Sequence, residues 1–422
     1  MSLILAIIAG MFLSILGYMT ISAVVIDNRI AVNHLQASQA FWLAESGIEV
    51  TARWLRYQDP PPGGIEPFVK YNHVLAGPGT YTVTVDPDDG NASNYLKKYK
   101  IISEGDADQA TRKIELIMEM TTFNKYAYLT GNEGGTIWFN TGDVIEGPLH
   151  SNDRISIVGS PTFMGKVTSS AATFNKGVPF NPDFQEGYQL GAPPATFPTR
   201  QDLIDNYWAV NTNPPQLIID ARFGKDASIE FKANGTLTFD VWHWSGSTQV
   251  YDIQDSVVNV VALNGLVYVK GDIDLKGTLD GSVSVVATNN IYIVDNLVYE
   301  MSDANGKPLP GCDDVLGLIS LKNIVVADNT PNQNDVVIDA AMLTLGSSFT
   351  VENYWSGPPR GDLTIWGSLS QKVRGPVGTF GGGTYTGYKK DYHYDNRFTD
   401  TPPPYYPVTG QYSVLSWKEL PN

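Results

Sequence analysis

The chain has 422 residues, 42% of them hydrophobic and 17% charged, and carries a formal net charge of −16. That length predicts two or three structural units with a substantial core, and the negative charge disfavours nucleic acid and anionic lipid headgroups as partners. Cys312 is the sole cysteine, which excludes an intramolecular disulfide, a zinc knuckle and c-type haem attachment. Forty Gly, 26 Pro and 22 Tyr predict many short strands joined by turns.

Residues 1–26 contain no charged side chain. As a helix they would extend about 39 Å, more than the roughly 30 Å of a bilayer's hydrocarbon core. A secretory signal would begin with basic residues. Here the first is Arg29, which suggests that a leader has been removed and that Met1 is the mature terminus. Beyond Asp27, apolar residues recur at Ala37, Phe41, Ala44, Ile48, Ala52 and Leu55, the spacing of one helical face. A single helix over 1–58 is therefore expected, closed by Asp59-Pro-Pro-Pro-Gly-Gly64. A simple anchor would carry a basic cluster at one end, and a coiled coil would sustain its stripe over about three or four heptads; this helix does neither.

The segment Leu35-Gln-Ala-Ser-Gln-Ala-Phe-Trp-Leu-Ala-Glu-Ser-Gly-Ile-Glu49, following the uncharged run, resembles the signature of PilX-like type IV pilins. The resemblance implies a prepilin-type leader, an N-methylated Met1 and storage in the inner membrane before assembly. Assembly would bury Leu3, Ile4, Leu5, Ile7, Ile8, Met11, Phe12, Leu13, Ile15 and Leu16 in a filament core. It also implies that Phe41, Ala44, Ile48 and Leu55 pack on the head. Two residues depart from the family's pattern: Leu5 stands where a Glu is common, and Ser22 replaces a helix-breaking Pro.

From 59 to 122 the chain reads as an antiparallel meander, with strands around Tyr81–Val85, Tyr99–Ser103 and Arg112–Glu119. From 123 to 382, short apolar strands closed by Gly, Asn or Asp recur every eight to twelve residues or so, the cadence of a β-solenoid, with a β-sandwich as the alternative. Residues 172–255 break the cadence and read as an insertion with a helical turn near Thr199–Tyr207; residues 383–422 read as a Tyr/Pro-rich tail draped over the head or a neighbour. The fold class is thus α+β: a pilin-type helix, a small antiparallel sheet and a solenoid-like head. Asn140–Asp153 and Gly381–Asp395 resemble parts of an uncharacterised domain attached to PilX-type helices.

Signals for chemistry are sparse. The five histidines form no i,i+4 pair, and no nucleophile elbow or phosphate-binding loop occurs. Asp86, Asp88 and Asp89 lie in an acidic loop that could take Ca²⁺, but Lys97 stands where a bidentate Glu is needed and a plain turn is the simpler reading. No other cofactor is expected. Asp272, Asp274 and Asp280 are the candidates should a solenoid groove be a polysaccharide-active site. Trp242 and Trp244 are candidates for ligand or subunit contact.

The reading reached from sequence is a non-enzymatic subunit of an extracellular filament, held in the inner membrane before assembly. Its partners would be its own copies, other pilins and the assembly machinery. The alternatives are a minor or tip pilin acting as adhesin, and a membrane-anchored polysaccharide-active enzyme.

Overall fold

A computed structural model describes residues 2–58, 66–87, 98–198, 217–381, 384–399 and 401–421. The chain divides into two compact units, residues 1–120 with 412–422, and residues 121–411.

The first unit is one helix and one sheet. The helix runs unbroken over Ser2–Arg56. Its buried residues are Ala40, Leu43, Ala44, Gly47, Ile48, Thr51, Ala52 and Leu55, a stripe advancing by alternate steps of three and one, as a period of 3.6 requires. The sheet holds Phe68–Ala76, Gly79–Pro87, Lys98–Ala107, Ala110–Thr122 and Val408–Leu420 in that spatial order, the first four antiparallel. Tyr81, Val83, Val85, Tyr99, Ile101, Ile114, Leu116 and Met118 form the face packed against the helix stripe. Two glycines let the layers close. A Cβ on Gly105 would collide with the backbone carbonyl of Ala40, and one on Gly47 with Ser103 Oγ. The expected terminal tail is instead regular structure: Val408–Leu420 completes this sheet, with Lys418 and Arg112 in surface ion pairs to Glu115 (2.9 Å) and Glu419 (3.2 Å).

The second unit is a parallel β-solenoid. One ladder runs, strand on strand, through Leu217–Ala221, Leu266–Gly271, Ser282–Ala287, Val315–Ser320, the second half of Val336–Thr344, the second half of Pro359–Val373, Tyr128–Asn132, Leu149–Ser151, Val167–Ser169 and Tyr188–Leu190. Every one of these pairings is parallel, whereas a sandwich would be built of antiparallel pairs. The winding order is not the chain order. The chain starts in mid-stack at Tyr128, winds outward to Leu190, reappears at the opposite end at Leu217, and winds back until Leu369–Val373 pairs with Tyr128–Asn132. Thr384–Tyr394, expected in the tail, is a strand of a second face, paired with Pro359–Val373 and Val144–Ile145.

The expected insertion over 172–255 is also revised. Asn175–Leu190 is a further coil of the solenoid and Leu217–Lys232 a terminal one. Among the described strands of that range, only Thr236–Ser245 and Thr248–Asn259 depart from it, as an antiparallel hairpin added to Lys225–Lys232. The turn expected near 199–207 falls outside the described residues. The segment around Pro402–Pro407 packs on the solenoid: Tyr406 is fully buried, and the Ser284 hydroxyl donates to Pro404 O at 2.5 Å.

Along the parallel ladder an apolar column, including Val267, Val285, Leu318, Met342, Leu369, Tyr128, Leu149 and Val167, fills the interior. Two residues further along each strand, Ser320, Thr344, Gln371, Thr130, Ser151 and Ser169 form a buried polar column. Burial of these groups is tolerable because each is hydrogen-bonded. Ser320 and Thr344 donate to turn carbonyls (2.7 and 3.0 Å) and Gln371 accepts from the Phe349 and Gly375 amides, both at 3.1 Å. Where the first coil meets the last, Thr130 and Ser151 donate to Glu133 Oε1 (2.5 and 2.7 Å), and Arg374 pairs with Glu133 Oε2 at 2.8 Å.

Candidate functional site

The feature that sets this molecule apart is the N-terminal half of its helix. An 18-residue window there has a mean hydropathy of 2.2 and none of it is buried, so the helix is long and apolar enough to cross a membrane. Leu3, Ile4, Leu5, Ile7, Ile8, Met11, Phe12, Leu13, Ile15 and Leu16 are all exposed, Leu5 by 73% and Phe12 by 66%. Apolar side chains surround the whole circumference, which no single face of a soluble partner would satisfy. Two hydroxyls within this run are satisfied by the helix itself: Ser14 donates to Gly10 O (2.8 Å) and Thr20 to Gly17 O (2.9 Å). Such back-bonding lets a polar residue sit in an apolar medium at little cost. The helix continues through Gly10, Gly17 and Ser22 without a break.

On the C-terminal half, Ala44, Ile48 and Leu55 are buried against the sheet, and Phe41 is partly buried, edge-on to Trp417 at 6.3 Å. The helix therefore changes character near Gln36: before it the surface is bare, after it one stripe is seated. Met1 lies outside the described residues.

The other candidates are dispersed. Asp86 pairs with Lys100 at 3.2 Å on the sheet, while Asp88 and Asp89 lie outside the described residues. Asp272 accepts from the backbone and side-chain amides of Asn290 (2.8 and 2.9 Å), the bonding of a carboxylate that holds a solenoid corner. Burial, with Asp226 and Asp272 nearby, pushes the Asp274 carboxyl up to about 6. Asp280 lies beside Gly235. Trp242 and Trp244 lie on the Thr236–Ser245 strand of the hairpin; the Trp244 indole donates to Asp226 at 3.0 Å, and Trp242 stands 6.2 Å from Tyr251.

The sequence reading missed a groove on the second unit. Two adjoining cavities of about 350 and 550 Å³ share Ile137, Trp138, Pro376, Gly378, Thr379 and Phe380. The signal was present as two separate segments, Thr136–Phe139 and the glycine-rich hairpin around Phe380 and Tyr385, but nothing in their spacing says they meet.

Residues 81–172 match a family described only as a domain of unknown function, DUF4900. That range contains Asn140–Asp153 but not Gly381–Asp395. No curated protein matches the chain. Among solved structures the chain is similar to the competence-associated pilin ComZ from Thermus thermophilus, at 14% identity and a TM-score of 0.34, over 91% of this chain and 97% of that one.

Proposed function

We propose that this protein is a structural, non-enzymatic subunit of a type IV pilus-like filament. In this reading its N-terminal helix forms the polymer core, and the acidic remainder forms the outer surface. The observation that carries the reading is the unburied, uncharged helix run of residues 2–26, continuous with a helix seated on its own sheet. Such a surface is costly in water, at roughly 25 cal/mol for each Å² of apolar area. Lipid and a core of like helices both remove that cost, which suits a subunit that waits in the inner membrane and then passes into a fibre. Partners would be copies of the same chain, with other pilins and their assembly machinery.

Shearing surface appendages from native cells, pelleting them and identifying the bulk protein and its terminal peptide by mass spectrometry tests the reading. A pellet dominated by this chain with N-methylated Met1 is the expected result. Retention of the chain in membranes, with none in the pellet, would overturn it.

A further inference from the structure

We propose that the groove between Trp138 and the Phe380–Tyr385 hairpin binds an uncharged carbohydrate chain. The inference is independent of whether the chain polymerises. In the antiparallel hairpin of Gly378–Gly381 with Thr384–Tyr394, Phe380 lies directly opposite Tyr385, so both side chains leave the same face with Cβ atoms about 5 Å apart. They are 42% and 48% exposed, and Trp138 lines the same cavity, half-buried. Three aromatic rings thus line one concave surface of a size typical for small-molecule sites, about 300–1,000 Å³.

A sugar ring has apolar C–H faces and a rim of hydroxyls that both donate and accept. It needs aromatic surface beside polar groups that are not already paired. The groove offers both. Among the described residues, the Trp138 indole N–H, the Asn140 side-chain amide and the Tyr385 hydroxyl make no hydrogen bond, and all three residues line the cavity. Asp143 is fixed as an acceptor by the Asn140 backbone N–H (3.0 Å) and the Lys390 ammonium (3.3 Å).

Charge points to an uncharged ligand. The Lys390 ammonium, 13% exposed, is neutralised by Asp143, and the Arg374 guanidinium below the groove by Glu133. Among the described lining residues only the exposed Lys389 lacks a carboxylate partner. An anionic polymer would need more free cations than this, particularly on a chain of net charge −16.

The test uses the full chain in a polyoxyethylene detergent, because sugar-headed detergents would compete. Linear hexaoses of β-1,4-linked glucose, N-acetylglucosamine and mannose, with an oligogalacturonate as the acidic comparison, are titrated by calorimetry and tryptophan fluorescence. Saturable binding of at least one neutral hexaose is expected. Phe380→Ala and Tyr385→Ala should each weaken it about tenfold or more. Both residues are exposed, so thermal unfolding should be unchanged, and Phe223→Ala, at an aromatic 90% exposed that does not line the groove, should bind as the wild type does. Absence of binding by all three neutral hexaoses at millimolar concentration would overturn the proposal. So would unchanged affinity in both groove variants, or tighter, salt-sensitive binding of the oligogalacturonate alone.

Discussion

Glu133 and Arg374 are 241 residues apart in sequence, and their side chains are almost wholly buried at 2.8 Å. The guanidinium also stacks over Phe139 at 3.9 Å. They sit where the first coil in chain order meets the last, so the pair joins the two halves of the stack rather than decorating it. Removing one partner strands the other charge in a dry interior, at about 3–5 kcal/mol. Glu133→Ala should therefore lower the unfolding free energy of the solenoid by that order in urea titration, whereas the exposed pair Arg222–Asp220 should give less than about 1 kcal/mol. Asp339 gives a pH signature. Burial pushes its carboxyl up to about 8, and Oδ2 accepts from the Tyr299 amide at 2.9 Å. The folded state thus holds a proton that the unfolded chain releases near pH 4. Its contribution to stability must then fall as pH rises from about 4 to 8, by up to several kcal/mol. Asp339→Asn keeps an acceptor for Tyr299 and should flatten that decline, being more stable than wild type at pH 8 and nearly equal at pH 4 in thermal melts.

At the scale of elements, the helix and its sheet share a side-chain core and approach backbone to backbone at Gly105. Alanine is normally preferred to glycine in a strand, since glycine loses more entropy on folding. At Gly105 the order should invert, because the added Cβ meets the carbonyl of Ala40, which no rotamer change can relieve. Gly105→Ala should cost about 1–3 kcal/mol in the first unit, while Gly10→Ala, with nothing within 4 Å, should carry no steric cost. Circular dichroism melts of the two variants compare them directly. The same contrast explains what the sequence could say. The stripe from Ala40 to Leu55 was legible because a 3.6-residue period reports which residues share a face. So were strands such as Val83–Val85 and Val283–Val286, bounded by turn residues. Strand neighbours were not legible, because alternation shows the face a residue occupies and never the strand beside it. Hence the pairing of Leu369–Val373 with Tyr128–Asn132, the buried Glu133–Arg374 contact and the groove at Trp138 all escaped. Val408–Leu420 was masked by its Pro-rich approach, which disfavours regular structure up to Pro407 and not beyond it.

Across the whole molecule, charge is segregated along the chain. Residues 1–56 carry three Arg against two Glu and one Asp, so the excess of −16 belongs to the rest. Acidic surfaces repel one another, which leaves the uncharged helix run as the part able to drive the association proposed above. If association buries that run, a single cation within it must be desolvated, at about 2.5–3.5 kcal/mol for Lys or Arg near the middle of an apolar helix segment. Phe12, 66% exposed and inside the apolar run, is the position to use. Phe12 is not part of the solenoid, so in Phe12→Lys urea unfolding of that unit should match wild type. The share of the chain recovered in sheared appendages should nevertheless fall at least tenfold or so, the free energy of one uncompensated charge. Val178→Lys, at a site 94% exposed on the solenoid, adds the same charge to a surface that already tolerates water and should leave recovery unchanged. Equal recovery of Phe12→Lys and wild type would mean that the helix stays in a wet environment throughout. Its apolar surface would then have no role in holding subunits together, and the filament reading would fall with it.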